Sequence, residues 1–297
     1  MSSHAAHSTS TGKPPEGQNT RGGQTIGGGQ NIRGGWERAA ADYRKGFGLH
    51  LEEIAHRLAA LLPASLPSPV LDLACGPGTV LWALKGRQRP DRSVGCDFSH
   101  RMLGFSRERV ALSHGVVADQ DLLPFAPQSF GTVVSSMGTI FSRDPEGQLR
   151  AIAHLLVPGG VFGFSVWGRP EETELGAVSR RIVADWPHPF EGALPPLESP
   201  YSPGRSDWLD RMTQDAGFAV RDVASHEHRF RFPDTRSAAE AIAGTGRLAL
   251  LVAGRPELRE ELIRRAEAAF LPHRDPMSGR VELSNRYHLF VLERQKP

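Results

Sequence analysis

Three aspartates close three short apolar runs in the first half of the chain: Asp72 in VLDLACGPGTV (70–80), Asp97 in SVGCDF (93–98) and Asp119 after HGVVA. A tight turn on Ala74, Gly76, Pro77 and Gly78 follows the first of them. Glycines at such a turn let the backbone approach a ligand closely. Carboxylates that end successive strands of an open parallel sheet sit on the rim where such sheets bind ligands. Asp97 there can accept both hydroxyls of a ribose, and Asp119 can accept from the exocyclic amine of an adenine. Helix capping alone does not require this ordered spacing. No basic clamp accompanies the acids, which points to adenosine without phosphate. A dinucleotide fingerprint needs a third glycine three residues after Gly78, where the chain has Leu81, and no Gly-Lys-Ser/Thr of an ATPase phosphate loop follows.

The elements that must carry these residues can be read from periodicity. Leu51, Ile54, Leu58 and Leu61 fall at helical spacing before Pro63. The expected order is then strand 70–73, loop 74–78, a helix from 79, strand 93–98, a helix capped by Ser99 and strand 115–118. Strand 130–136 follows, then a helix opened by Asp144-Pro145, and strand 161–167 after Pro158-Gly159-Gly160. Strand–helix alternation of this kind implies parallel pairing with helices on both faces. After residue 168 the rhythm changes. Residues 169–205 are proline-rich without clear period, and 206–216 read as a helix. Residues 218–232 read as a strand, 236–271 as helix in two pieces, and 286–295 as a last strand.

The chain has 297 residues, 35 basic and 33 acidic side chains, and two cysteines. That charge balance gives no general pull toward nucleic acid or an anionic membrane. Two cysteines make no disulfide framework, and Cys75 and Cys96 are expected as reduced thiols. No run is long and apolar enough to span a bilayer, so no membrane insertion is expected and the expected compartment is cytoplasmic. Residues 1–35 are rich in Ser, Gly, Gln and Thr and are expected to form a disordered tail. The remainder, 36–297, is expected to be one domain. It divides into an N-terminal helical cover at 36–69, a cofactor-binding core at 70–168, and substrate-cap segments at 169–205 and 236–280.

The ordered stretches VLDLACGPGTV, VGCDFSHRML, ADQDLLPFAPQSF, LLVPGGVFGFSVW and DAGFAV resemble the class I S-adenosylmethionine-dependent methyltransferases. Among these, the chain is similar to the small-molecule ubiquinone/menaquinone C-methyltransferase group. The resemblance implies a Rossmann-like α/β fold: a seven-stranded, mostly parallel sheet with an antiparallel last strand, helices on both faces and a helical and loop cap. It implies S-adenosyl-L-methionine as cofactor. Ala74, Gly76, Pro77 and Gly78 would admit the methionyl part, and Asp72 would fix the loop. Asp97 would hold the ribose, Phe98 and Met102 would flank the adenine, and Asp119 with the backbone of Gln120 would meet its edge. Ser136 falls where the group places a cofactor-contacting serine. The chain departs from the family at Ala74, where a glycine is usual, at Gly131, where an acid is usual, and at Thr139-Ile140, where many relatives have histidine.

The expected activity is in-line methyl transfer to a small acceptor, apolar or aromatic. The aromatic content of the cap segments (Trp167, Trp186, Phe190, Tyr201, Trp208) motivates that choice. A phenol or alcohol acceptor needs a proton acceptor, for which Tyr43, His188, His226 and His228 are candidates, none singled out. His226 and His228 alternate on a strand but lack a third ligand, so no metal is expected. Three alternatives remain: an RNA methyltransferase that uses Arg-Gly-Gly triplets at 21–23 and 33–35 as an RNA-binding arm, a nicotinamide oxidoreductase, which Leu81 and the missing second nucleotide site disfavour, and a non-catalytic module that keeps the fold. The sequence does not give the oligomeric state.

Overall fold

Val70–Leu73 (β1) is buried along its whole length because it has a parallel neighbour on each side. One is Ser93–Asp97 (β2), which pairs in turn with His114–Val117 (β3). The other is Phe130–Ser136 (β4), followed by Leu156–Trp167 (β5). Phe218–Phe232 (β6) and Val281–Arg294 (β7) complete a seven-stranded sheet in the order β3-β2-β1-β4-β5-β7-β6. β7 runs antiparallel to both of its neighbours. The sheet order reverses between β1 and β4, so the turns after these two strands flank the crevice in which such sheets hold ligands. This is the Rossmann-like architecture expected from the sequence. The computed structural model describes residues 26–87, 92–111, 114–188, 213–252 and 255–296.

Helices cover both faces of the sheet. On one, Pro145–Leu155 (α6) presses Leu149 and Ile152 onto Phe162, Phe164 and Phe290. Phe162 and Phe164 stack at 4.7 Å between ring centroids, and Phe164 and Phe290 at 5.0 Å. Full burial of each such ring stabilises the fold by about 1.5–3 kcal/mol. On the other face, Glu52–Leu61 (α3), Thr79–Ala83 (α4) and His100–Val110 (α5) enclose Leu81, Leu84 and Leu103. The expected caps form: Ser99 accepts from the Met102 N–H and Asp144 from the Gly147 N–H. A methyl group at Gly131 would come within 2.5 Å of the Pro67 backbone. No side chain fits there, which explains the missing acid.

Several boundaries differ from the sequence reading; β5 begins at Leu156 rather than 161 and β7 at Val281 rather than 286. A helix spans Ile26–Lys45 (α1), so helical structure begins ten residues before Trp36, within the stretch expected as a tail. It continues through Phe47–His50 (α2) into the cover. The proline-rich stretch opens with a regular helix, Glu174–Ala184 (α7), whose Val178 and Ile182 are buried. The cap between β6 and β7 has three α-helices where two pieces were expected: Thr235–Ala243 (α8), Gly246–Val252 (α9) and Arg259–Phe270 (α10). The chain breaks at Gly244 and Gly246, the latter at φ +52°. Phe190, Tyr201, Trp208 and most of the helix expected at 206–216 lie outside the described residues.

This cap packs on the extended ends of β6 and β7, where Phe230, Phe232, Leu283 and Tyr287 join Ile242, Leu262 and Phe270 in one apolar cluster. β5 ends at Trp167, opposite Tyr287 of β7. The second core therefore begins where the parallel sheet stops.

Candidate functional site

The turn after β1 is built from left-handed residues: Ala74 (φ +54°), Gly76 (φ +51°) and Gly78 (φ +80°). A Cβ at Gly78 would lie 2.6 Å from the Ser106 Oγ, so the turn can hug α5 only with glycine there. A Cβ at Gly76 would meet nothing within 4 Å, which leaves that backbone open. Gly138, after β4, sits so close to the turn that a Cβ would be 2.6 Å from the Ala74 Cβ. The two turns thus meet backbone to backbone above the crevice.

Asp97 ties these parts together. Its Oδ2 accepts from the Gly76 N–H at 2.9 Å, and its Oδ1 from the Ser99 N–H at 2.8 Å. Burial pushes its pKa up to about 6 against the pull of the Ser99 and Gly76 amides, and the charge of Glu37 pushes it further up. Asp72 lies beneath the turn, 1% exposed. Burial raises its pKa well above the ordinary carboxylate range, the Leu81 backbone N–H lowers it, and the Asp97 charge raises it again.

A pocket opens beside the turn, lined by Ala74, Cys96, Asp97, Phe98, Asp119, Gln120, Asp121, Gly138 and Arg143, with Trp36 and Phe141 at one wall. Five of the sequence-derived positions therefore converge here: Ala74, Asp97, Phe98, Asp119 and Gln120. Gly76 joins through its hydrogen bond to Asp97. Asp72 and Gly78 support the turn from below and behind, and Pro77 faces a shallow groove beside Phe105 and Arg109. Met102 is buried, 3% exposed, and does not line the pocket. Ser136 turns its Oγ to the Ser165 Oγ at 3.0 Å and does not line it either.

Arg143 is a basic group at a place where the sequence suggested none. Its Nη2 lies 2.7 Å from Asp119 and its Nε 3.2 Å from Asp121. Three carboxylates, Asp97, Asp119 and Asp121, line the pocket beside this one guanidinium, so it keeps an acidic excess that disfavours phosphate. The acceptor set fits an adenosyl group: one acid where ribose hydroxyls would donate, a second where an adenine amine would donate, and open loop backbone. The Gln120 Oε1 is buried without a hydrogen-bond partner, which leaves an acceptor spare at the same edge.

A second, larger pocket abuts the first, with about 1100 Å³ of free space, open solvent included. The cover supplies Trp36, Tyr43, Phe47 and Leu51 to its wall. The rest comes from Met137, Ile140, Phe141, Trp167, α7 and the start of α9, with Asn285 of β7. No charged side chain is among these described lining residues. Tyr43 reaches this wall, and burial, followed by the charge of Asp97, raises its pKa, so its hydroxyl stays protonated.

The three histidine candidates line neither pocket. His188 is 2.8 Å from Glu261 and edge-on to Trp186. His226 lies against Tyr287, and His228 is buried 3.3 Å from Glu53, with its pKa lowered chiefly by that burial. Among the described residues no group of three or more His, Cys, Asp or Glu side chains could hold a metal ion. None of the described helices is long and apolar enough to cross a membrane. Phe141 and Arg143 escaped the sequence reading because nothing in SRDPE or TIF marks them. Only the turn after β4 brings them to the crevice.

A mostly parallel open sheet with a glycine turn and two acids, Asp97 and Asp119, at its switch point is the architecture of the methyltransferase fold. Residues 70–160 match the methyltransferase domain family. The chain is 30% identical over 207 residues to a malonyl-[acyl-carrier protein] O-methyltransferase of Salmonella typhimurium, a match covering 66% of this chain and 80% of that protein. It is 27% identical over 198 residues to the human mitochondrial arginine-hydroxylase NDUFAF5, covering 66% of this chain and 55% of that one. Several curated relatives are matched over only about half of their length, 53–57%. A methyltransferase-fold protein solved with the Trm112 methyltransferase activator of Haloferax volcanii superposes with a TM-score of 0.55 at 21% identity, over 90% of this chain and 98% of its own. The chain belongs to the methyltransferase domain family, with the fold of the class I S-adenosylmethionine-dependent enzymes.

Proposed function

We propose that this protein transfers a methyl group from S-adenosyl-L-methionine to a small, uncharged, apolar or aromatic acceptor. The observation that carries this reading is the pair of adjoining pockets, one acidic and nucleoside-shaped, the other apolar. Bound S-adenosylmethionine supplies an electrophilic methyl carbon on a positively charged sulfur. Asp97 would exchange its backbone partners for the ribose hydroxyls, and Asp119 and Gln120 would meet the adenine edge. Phe98 would lie along the ring, and the open backbone at Gly76 would admit the methionyl chain.

The protein's share of the chemistry is placement and exclusion of water. The apolar wall of the larger pocket holds the acceptor against the cofactor and keeps solvent out. Tyr43 is a neutral hydrogen-bond donor in that wall, suited to orient an acceptor oxygen rather than to remove its proton. The malonyl carrier protein relatives act on a substrate that bears a carboxylate. With no cationic side chain among the described lining residues, this pocket suits a different acceptor. That supports the small-molecule reading and its resemblance to the quinone C-methyltransferases.

The test is incubation of the purified protein with a metabolite extract and methyl-labelled S-adenosylmethionine, followed by mass spectrometry. Label in a neutral apolar product supports the reading. Label confined to RNA, to a carrier-bound acid or to nothing overturns it.

A further inference from the structure

Of the described side chains, Trp36 and Phe141 alone line both pockets. In-line transfer requires the donor carbon to face the acceptor. On the reading proposed above, the reacting centre therefore sits where the pockets meet, beside these two rings. Their centroids are 5.6 Å apart and their planes inclined at 74°. Tyr43 adds a third ring, 5.6 Å from Trp36 at 79°. Trp36 and Phe141 are half-buried, so part of each ring remains uncovered.

Trp36 is not loosely placed. The neighbouring Glu37 accepts from the Ser99 Oγ at 2.7 Å and from the Arg101 N–H at 3.2 Å. Ser99 is fully buried and also donates its N–H to Asp97. The indole is thereby fixed to the same short turn that carries the ribose acid. Phe141 is set from the other side by the turn after β4, where its N–H meets the Gly138 carbonyl at 3.1 Å.

Aromatic faces attract cations, and more strongly where water is excluded. The larger pocket offers no carboxylate among its described lining residues, so on that side aromatic faces answer a positive charge, and of these Trp36 and Phe141 are the ones that also border the first pocket. We infer that Trp36 and Phe141, backed by Tyr43, form an aromatic clamp that recognises the sulfonium of the methyl donor and releases the neutral thioether left after transfer. The discrimination follows from charge. Once the C–S bonding pair stays with sulfur and the acceptor's electron pair bonds the methyl carbon, the sulfur is neutral and the rings lose their partner.

The inference rests on the methyl-donor reading, and the test separates the two. Calorimetry would give the Kd of S-adenosylmethionine and of S-adenosylhomocysteine for the wild type, Phe141→Leu, Trp36→Leu and Trp36→Phe at one pH and salt. Leucine keeps an apolar contact and removes the π face, whereas phenylalanine at 36 keeps the face. The preference for the charged compound, taken as the ratio of the two Kd values, should fall about three- to tenfold in each leucine variant and recover in Trp36→Phe. Phe141→Leu changes no residue of the cover helix, so the result does not depend on the Trp36 variants folding. A ratio within about twofold of wild type in the leucine variants overturns the clamp. A wild type that binds neither compound overturns the methyl-donor reading itself.

Discussion

Asp97 carries two opposed effects. Its folded pKa, about 6, lies above the ordinary 3.8. A raised carboxyl pKa means that its ionisation weakens the unliganded fold. Its contribution to stability is complete below pH 3.8 and is lost as the pH rises through about 6, a difference on the order of 3 kcal/mol. Ribose binding needs the ionised form, so affinity for S-adenosylhomocysteine should rise over that window. Thermal unfolding with and without this compound would show it: the ligand-induced Tm shift should be clearly larger at pH 7.5 than at pH 5, and an equal shift would place the ribose elsewhere. Asp97→Ala should weaken binding at least about tenfold, because charge-assisted hydrogen bonds contribute roughly 1.5–3 kcal/mol. Isothermal titration reads this directly, and an unchanged Kd would refute the assignment.

At the scale of elements, the site depends on two turns that meet where Gly138 leaves no room for a side chain of its own. Gly138→Ala would drive a methyl group against the Ala74 Cβ at 2.6 Å and the Ser135 Oγ at 2.7 Å. Overpacking of this kind costs about 1–3 kcal/mol. It should lower both Tm and cofactor affinity, since the strain falls on the loop that Asp97 holds. Loss of Tm with unchanged affinity would mean that the turn after β4 plays no part in cofactor binding. The cover helix α1 docks by polar contacts as well as apolar ones: Glu37 on α5, Arg44 to Glu108 at 2.9 Å and Asp42 to Arg259 at 2.9 Å. Exposed ion pairs of this kind contribute roughly 0–1 kcal/mol each. Glu37→Ala should therefore speed amide hydrogen exchange across 33–45 while leaving exchange in β1 and β4 unchanged. Uniform exchange across all three would mean that the cover does not open separately.

For the molecule as a whole, the two pockets make a separable prediction. Leu175 on α7 lines the larger pocket and not the nucleoside pocket. Leu175→Trp should crowd the acceptor alone, raising its KM by roughly tenfold, equivalent to about 1.4 kcal/mol. The Kd for S-adenosylhomocysteine should stay within about twofold, well under 1 kcal/mol. If both constants move together, the two pockets are one site. The position of the larger pocket follows from the long β6 and β7 ribbon. That ribbon outruns the parallel sheet and packs against α8, α9 and α10, of which α8 and α9 reach the pocket at Ile242, Gly246 and Leu248.

Local chemistry was legible in the chain. The alternation of apolar runs and turns announced the parallel sheet, and the caps at Ser99 and Asp144 formed as read. Asp97 and Asp119 came to one pocket because a strand's end is fixed by its own hydrophobic run, and the sheet then aligns such ends along one rim. Gly76 and Gly78 were readable for a similar reason, since a left-handed turn selects its residues locally. The rest is not local. Arg143 and the docking of Glu37 depend on contacts across 22 to 64 positions of chain, and Phe141 meets a ring of the cover helix, none of which periodicity encodes. Glu260 shows the same limit. It pairs with Arg236 of α8 at 2.6 Å, whereas i,i+4 spacing alone would pair it with Arg264. Spacing fixes which residues can share a face, but packing between elements decides which of them meet, and the larger pocket is made almost wholly of such meetings.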